Sequence, residues 1–411
     1  MNSTKRRTYG DGSLVQRGEN SWRLRYRVGG KRFSATVHGT RKEALAELRR
    51  LLRSGDTGEH VAPAKITLAE WIERWLALLD RQPAAEAEPQ AGARRRGLVN
   101  RKTLERYGQL MRLHVVPTLG ARLLQAIRPD EIDRLYCKLE TKLAPRTVHH
   151  VHTQLGACFK AAVRKGLLAT NPVARAEAPS PGDSDHGTAL DAEQLEKLID
   201  GFRASVLYPI ICVAAFTGAR RGEVLALRWS DFDPDAMTLR IVRSVEQTRS
   251  HGIAFKEPKT ARGRRTITID ENLVALLRRE RDHHLRIVAG VPDGATVDLS
   301  LVPLPEDALM FPNPPTKGES FSFRRPRAPD AVTQEFTRKA AALGFPGLRL
   351  HDLRGTHETM LLDAGVPVHV VAARCGHDPA VLLRIYAKRT RKADTSAAAV
   401  IAALSRTTLG S

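Results

Sequence analysis

The sequence predicts a multidomain, mainly α-helical protein with small β-sheets, of the α+β class. A chain of 411 residues is too long for one ordinary core, which indicates two or three domains. Short stretches near the beginning alternate apolar and polar residues and predict strands, whereas longer stretches have the apolar spacing of helices. A Pro-, Ser- and Gly-rich segment near residue 180 divides the helical part in two.

The predicted first domain spans residues 1–60 and consists of a three-stranded sheet backed by one helix. The predicted strands are SLVQRG, SWRLRYRVGG and KRFSATVHG, which meet at Gly-containing turns. The stretch TRKEALAELRRLLRSG then predicts a helix that Thr40 caps and that ends near Gly55. In the second strand apolar side chains alternate with arginines, so one face of the sheet is apolar and the other cationic.

The cationic face of this sheet is a candidate nucleic-acid surface. A small sheet with a row of arginines on its free face fits a DNA groove, although a solvated charged face explains the same pattern. The candidate DNA-binding residues are Arg23, Arg25, Arg27, Lys31 and Arg32.

The charge of the whole chain points to a polyanionic partner. It carries 66 Lys+Arg against 45 Asp+Glu, a formal net charge of +21. Such an excess fits nucleic acid or an anionic membrane. The sequence has no basic amphipathic anchor, and no apolar run approaches the roughly 18 residues that span a bilayer, which favours nucleic acid and no membrane partner. Four scattered cysteines and no apolar secretory signal favour the cytoplasm.

The second predicted domain, residues 66–175, is helical. Four stretches have helical apolar spacing: TLAEWIERWLALLD, NRKTLERYGQLMRLHVVPTLG, RPDEIDRLYCKLE and APRTVHHVHTQLGACFKAAVRKGLL. A third domain is predicted over residues 186–390, where helices are interrupted by the strand-like MTLRIVRS and RRTITID. Residues 391–411 form a tail with a short amphipathic helix, which packs either on a neighbouring protomer or on its own domain.

Two basic segments of the third domain suggest an anion site. In FTGARRGEVLALRWSDFD, Arg220 and Arg221 stand at the start of a predicted helix, where the helix dipole disfavours cations unless an anion binds alongside. Glu223 is placed to hold the guanidinium of Arg220. The segment EPKTARGRRTITID, residues 257–270, predicts a hairpin with Lys259 near its tip, although an exposed loop lysine is the commoner explanation.

Two later segments add histidines and a tyrosine. LRLHDLRGTHETMLLDAG places His351 and Arg354 one turn apart at the start of a helix, where backbone N–H groups favour anions. In RCGHDPAVLLRIYAKRT, His377 follows a helix break and the next helix carries Tyr386. Taken alone, Tyr386 is most simply a core aromatic. The combination, in this order, indicates a phosphate-binding catalytic set.

These segments resemble the catalytic boxes of the tyrosine recombinases, specifically the lambda-type integrases of phages and mobile elements that have an N-terminal arm-binding domain. The resemblance is carried by TGARRGE, PKT with RRTITI, HDLRGTHETMLLDAG, CGH and IYAKRT. One departure is Gly355, where many relatives have a second histidine. The resemblance implies an arm-type DNA-binding domain, a helical core-binding (SAM-like) domain and a tyrosine-recombinase catalytic domain, in that order.

The implied reaction is a transesterification at a DNA phosphodiester without ATP, metal or other cofactor. Tyr386 would attack phosphorus and form a 3′-phosphotyrosyl link, which conserves the bond energy. Arg220 and Arg354 would clamp the phosphate through their forked N–H donors. Lys259 is the candidate acid for the leaving oxygen and His351 the candidate base.

The resemblance also implies supporting residues and partners. His377 would hydrogen-bond the scissile phosphate, and Glu223 would support the site from behind. The partners would be double-stranded DNA with core-type and arm-type attachment sites, a homotetramer on that DNA, an excision factor and a host DNA-bending protein. The alternatives are a chromosome-dimer-type resolvase, a type IB topoisomerase-like strand transferase and a non-catalytic DNA-binding protein.

Overall fold

The structure is a computed structural model that describes residues 12–56, 61–80, 99–182, 187, 189–258, 261–316 and 318–383. The chain divides into two compact units, Met1–Ser184 and Asp185–Ser411. The mixed α+β class predicted from the sequence is confirmed, with small antiparallel sheets among many helices. Among the described helices, none is long and apolar enough to cross a membrane.

The first unit begins with the predicted sheet. Strands β1 (Ser13–Gly18), β2 (Ser21–Val28) and β3 (Lys31–His38) are antiparallel in the order β1-β2-β3, and helix α1 (Arg41–Asp56) packs on them. Thr40 caps α1 as expected, because Thr40 Oγ1 accepts the N–H of Glu43 and the Glu43 carboxylate accepts the N–H of Thr40. A small core of Leu24, Tyr26, Ala44 and Leu48 lies between sheet and helix.

The rest of the first unit is helical and has its own core. A π-helical turn, Met111–Val115, joins the helices Arg101–Leu110 and Val116–Leu119. The buried side chains cluster around the longest helix, with Val151, Leu155 and Phe159 fully enclosed. The helices are α2 (Leu68–Leu79), α3 (Arg101–Leu110), α4 (Val116–Leu119), α5 (Pro129–Glu140) and α6 (Pro145–Arg164).

The second unit has helices around two small sheets. The helix Tyr208–Thr217 is apolar on all sides and packs against the helices Glu271–Ala289 and Asp352–Asp363. The helices are α7 (Ala192–Gly201), α8 (Tyr208–Thr217), α9 (Arg221–Val224), α10 (Glu271–Ala289), α11 (Pro329–Ala342), α12 (Asp352–Asp363) and α13 (Val368–Cys375). The strands are β4 (Phe232–Asp233), β5 (Thr238–Ile241), β6 (Ser244–Thr248), β7 (Gly252–Lys256) and β8 (Arg265–Thr268).

The hairpin predicted over residues 257–270 is wrong. The strand RTIT is present as β8, but it pairs with β5 in a sheet of order β4-β5-β8, whereas β7 pairs, among the described strands, only with β6. Ile267 faces Leu239 across the β5–β8 register and both are buried, so the apolar alternation of β8 matches a distant strand. Strands β6 and β7 were not predicted, because their alternation is weak and β7 exposes Ile253 and Phe255.

Candidate active site

Three arginines from separate segments of the second unit converge on the last carbonyls of α13. Carbonyls at a helix C-terminus have no partner within the helix and carry the negative end of its dipole, so they attract guanidinium groups. Three successive carbonyls each accept one N–H: Arg374 O from Arg265 Nε (2.7 Å), Cys375 O from Arg354 Nη2 (2.6 Å) and Gly376 O from Arg220 Nη2 (3.1 Å).

Gly376 makes this convergence possible. It ends α13 in the left-handed conformation with φ of 66°. A Cβ at this position would lie 2.9 Å from Arg262 O and 3.2 Å from Arg265 Nη1. Glycine therefore allows both the turn to His377 and the close approach of an arginine.

Glu223 holds two of the arginines. Its Oε1 accepts from Arg220 Nη1 at 2.9 Å, and its Oε2 accepts from Arg265 Nη2 at 2.8 Å and from the Arg220 backbone N–H at 3.0 Å. Burial alone would raise the pKa of Glu223, but the hydrogen bond and charge of Arg265, with those of Arg220, outweigh it and lower the pKa. The carboxylate is therefore ionised and fixes both guanidinium groups, while the Arg220 side chain stays 38% exposed.

Arg354 lies deeper than Arg220. Only 2% of its surface is exposed, and its Nη1 donates to Gly218 O at 2.7 Å in addition to the bond from Nη2 to Cys375 O. Burial and the charge of Arg220 both lower the pKa of Arg354. Two guanidinium groups that disfavour each other's charge form a site in which a bound anion relieves the repulsion.

His351 stands immediately before the first residue of α12. Its ring is still exposed to solvent, but the protein that flanks it and the nearby charge of Arg354 lower the pKa of the imidazole. His351 is therefore mainly neutral near pH 7, the state in which an imidazole accepts a proton.

His377 follows Gly376 and contacts Arg354. Its Nε2 lies 3.3 Å from Arg354 Nε and 3.0 Å from Oε1 of Glu358, which is buried one turn after Arg354 on α12. Glu358 Oε1 also lies 3.1 Å from Arg354 Nε. The structure thus brings Arg220, Arg354 and His377 together, with an acidic side chain beneath them.

Sequence reasoning missed three groups at this site. Glu358 could have been found as a charged residue four positions after Arg354 on a helix that faces the core. Arg265 opens a strand and gives no such signal, because its partners are distant in sequence. Arg374 was also missed: its Nε donates to His357 Nε2 at 3.1 Å, and burial with the Arg374 charge lowers the pKa of His357 to about 4.

Several expected site residues lie outside the part of the chain that the structure describes. Lys259 falls in the gap after residue 258, and Tyr386 and the tail 391–411 follow the last described residue, Leu383. Their predicted roles stay predictions.

The cationic face of the N-terminal sheet belongs to the first unit. Arg25 and Arg27 alternate with the buried Leu24 and Tyr26, as the sequence predicts, and Lys31 is exposed on the neighbouring strand. A shallow concavity on this face is lined by several of the candidate DNA-binding side chains, namely Arg23, Arg25, Arg27 and Arg32.

Comparison with known proteins identifies the family. Residues 188–392 match the phage integrase family, and residues 86–178 match the phage integrase central domain. An integrase of Streptomyces ambofaciens is 27% identical over 417 aligned positions, which cover 97% of both chains.

Solved structures share the fold. An integrase of the transposon Tn1549, in complex with circular intermediate DNA, superposes with a TM-score of 0.60 at 18% identity over 82% of this chain and 99% of that one. A lambda integrase tetramer bound to a Holliday junction gives a TM-score of 0.53 at 18% identity, over 95% of this chain and 99% of that one. Two models of the phage integrase family match the chain, and an integrase aligns with it over nearly its whole length. The chain therefore belongs to the phage integrase family of tyrosine recombinases.

Proposed function

We propose that this chain is a site-specific DNA recombinase that cuts and rejoins DNA through a 3′-phosphotyrosyl intermediate, and so integrates or excises a phage or other mobile element. The observation that carries the proposal is the convergence of Arg220, Arg354 and His377 at the end of α13, within the region that matches the phage integrase family.

A phosphodiester is the anion that this site fits best. Its attacked phosphorus becomes five-coordinate and gains negative charge, which forked arginine donors stabilise more in the transition state than in the ground state. Both guanidinium groups are already oriented, Arg220 by Glu223 and Arg354 by Gly218 O and Cys375 O. They therefore need no reorganisation when the charge develops.

The remaining roles complete the reaction. Tyr386 is the nucleophile and forms the covalent link to the 3′ phosphate, while a 5′-hydroxyl leaves. His351 accepts the phenolic proton, which the lowered pKa of its imidazole supports. Lys259 donates a proton to the leaving oxygen. The covalent intermediate retains the energy of the broken bond, so a second 5′-hydroxyl reverses the step without ATP.

The proposed organisation assigns one DNA task to each domain. Residues 1–60 bind arm-type sites, 66–175 bind core-type sites, 186–390 carry out catalysis and 391–411 dock on a neighbouring protomer. Assembly as a homotetramer on DNA is supported by the shared fold with a lambda integrase tetramer bound to a Holliday junction. The proposed location is the cytoplasmic nucleoid. An excision factor and a host DNA-bending protein would set the direction of the reaction.

A joining assay tests this function against its alternatives. Purified chain is mixed with a supercoiled plasmid and a linear duplex that carry the two junction sequences of the element encoding it. Recombinant product that requires both sequences is expected. Relaxation of the plasmid without joining would indicate a type IB topoisomerase-like enzyme, joining of two copies of one chromosomal site a resolvase, and binding without cleavage a non-catalytic DNA-binding protein.

A further inference from the structure

Glu358 is a buried carboxylate that the roles described so far leave unused. It lies on α12 with 4% of its surface exposed, among residues that otherwise form the base of the active site. Burying an ionised carboxylate is costly unless cations or hydrogen-bond donors face it. Its Oε1 lies 3.1 Å from Arg354 Nε and 3.0 Å from His377 Nε2, so it faces both.

Whether Nε2 of His377 carries a proton decides if its contact with the Glu358 carboxylate is favourable. A guanidinium N–H only donates and a carboxylate oxygen only accepts. If Nε2 carries no proton, it accepts from Arg354 Nε at 3.3 Å, and Glu358 Oε1 is then left without a hydrogen-bond partner among the described residues. If Nε2 carries a proton, the imidazolium lies 3.0 Å from Oε1, and this ion pair offsets the cost of burying the carboxylate.

Protonation at Nε2 has a consequence at the other ring nitrogen. A neutral imidazole with its proton on Nε2 has an acceptor at Nδ1, which repels a phosphate oxygen. Only the imidazolium donates from both nitrogens at once. A carboxylate in contact with Nε2 stabilises that imidazolium, in the same way that a buried aspartate orients and stabilises a catalytic histidine.

We propose that Glu358 is a positioning residue that holds the proton on His377 Nε2, so that His377 acts as an imidazolium and donates through Nδ1 to the scissile phosphate. The proposal rests on the proposed function and deepens it, because it names the group that keeps one of the phosphate ligands in its donating state.

Other charges around the pair oppose or modulate this effect. Arg354 disfavours a second cation beside it, and the ionised Glu223 offsets part of the charge of Arg220. Burial raises the pKa of Cys375 to about 12, so its thiol stays protonated and donates to Glu358. Among the described residues, the titratable and charged groups near the pair are Arg220, Glu223, His351, Arg354, His357 and Cys375. Arg265 and Arg374 lie beside Cys375, and Asp378, which pairs with Arg262, follows His377 in the chain.

The test uses Glu358→Gln, which keeps the shape of the side chain and removes its charge. Single-turnover cleavage is measured against pH on a nicked junction duplex with a 5′-bridging phosphorothiolate. That substrate has a sulfur leaving group and makes protonation by Lys259 unnecessary, so the alkaline decline then reports His377. The midpoint of this decline should move down by about one pH unit in Glu358→Gln, since an adjacent opposite charge is worth roughly 1–3 units.

Two further variants separate positioning from a merely structural role. In a His377→Gln background the alkaline decline should be absent, and adding Glu358→Gln should not change the shape of the pH profile, because the group through which Glu358 acts is gone. Glu358→Asp, which retains a carboxylate, should keep a midpoint closer to that of the parent. An equal loss of rate at every pH in Glu358→Gln, or an unshifted midpoint, would overturn the proposal. Asp363→Asn, at the exposed end of the same helix, is the control.

An NMR titration makes the outcome independent of activity. The full chain with ¹³C-labelled histidines is titrated without DNA, and the His377 signal is assigned by its loss in His377→Gln. Its midpoint should fall in Glu358→Gln, and an unchanged midpoint contradicts the role of Glu358 even if the chain cleaves DNA. If the parent forms no covalent complex but its His377 midpoint responds to Glu358→Gln, the proposed function fails while the coupling stands.

Discussion

Arginine geometry, rather than positive charge alone, is what the site uses. Arg354 directs Nη1 and Nη2 to two different backbone carbonyls and Nε toward Glu358 and His377. A lysine ammonium is a single point charge and cannot contact both carbonyls and both side chains at once. The two carbonyls would then lose their buried donors, so a substitution that conserves charge still disrupts the site.

Arg354→Lys should reduce cleavage by about 100-fold, the usual effect of removing one preorganised transition-state donor. The measurement is single-turnover cleavage at saturating DNA, with thermal unfolding to verify that the variant is folded. Arg278→Lys, an exposed arginine on α10, is the matched control and should cleave like the parent. A variant within threefold of the parent rate would show that charge alone is sufficient.

The lowered pKa of His351 predicts the acid side of the pH profile. A general base works in its neutral form, and desolvation by the flanking protein, with the charge of Arg354, holds the imidazole pKa below its ordinary value of about 6.5. For cleavage at subsaturating DNA, which reports the free enzyme, the midpoint of the acid decline should therefore lie below pH 6.5. His351→Gln should abolish this decline and lower the plateau; an acid midpoint above 6.5 in the parent would contradict the assignment.

The order of the basic, histidine and tyrosine boxes allowed Arg220, Arg354 and His377 to be predicted from the sequence. Arg265 and Glu358 were not, because their importance depends on which backbone carbonyls and side chains meet in three dimensions. Each lies in a segment whose local pattern is that of an ordinary strand or helix. Local periodicity carries no information about such partners.

Helix α13 organises the site through its C-terminal end. Its three last carbonyls are the meeting point for arginines from α12, from the entry to α9 and from β8. The left-handed glycine that ends the helix is therefore both a cap and a part of the site.

Gly376→Ala should slow cleavage strongly, beyond what its loss of folding stability explains. A left-handed alanine costs about 1–2 kcal/mol in any protein, and here its Cβ would also press on Arg262 O and Arg265. Gly290→Ala is the matched control, since Gly290 ends α10 with φ of 67° and its Cβ would meet nothing within 4 Å. Both variants should lose free energy of unfolding in urea, and Gly376→Ala should lose more because of the contact with Arg262 O. Under conditions where both variants are folded, only Gly376→Ala should lose cleavage; equal cleavage by the two variants would contradict this role for α13.

The elements themselves were predicted with uneven success. The N-terminal sheet was predicted in full, because apolar residues and arginines alternate over all of β2. The hairpin predicted over residues 257–270 was wrong, because β8 pairs with the distant strand β5, whose burial pattern it matches, and not with a strand just before it in the sequence. Strand pairing between distant segments is the part of a fold that local patterns specify least.

In the whole molecule, positive charge is distributed over two different kinds of surface. In the second unit Arg220 and Arg354 converge on the end of α13, whereas the arginines of the N-terminal sheet form a broad exposed row. A row of this kind binds the DNA backbone and gives an affinity that falls steeply with salt.

Arg25→Gln combined with Arg32→Gln should weaken binding to arm-type DNA and leave cleavage of an isolated core site unchanged. Each lost phosphate contact should lower the slope of log affinity against log salt by about one. Fluorescence anisotropy over a salt series measures the slope, and Arg49→Gln on the exposed side of α1 is the control. A double variant with the parent slope would show that this face is only a solvated surface.

The central claim is that Tyr386 becomes covalently joined to DNA, and a trapping experiment tests it most directly. A nicked duplex that carries the junction sequence of the encoding element is incubated with the full chain, and the products are separated under denaturing conditions. We expect a protein–DNA adduct whose digested peptide carries a 3′-linked nucleotide on Tyr386, and no adduct with Tyr386→Phe. An adduct on another residue, or no adduct with DNA that the chain binds tightly, would contradict it.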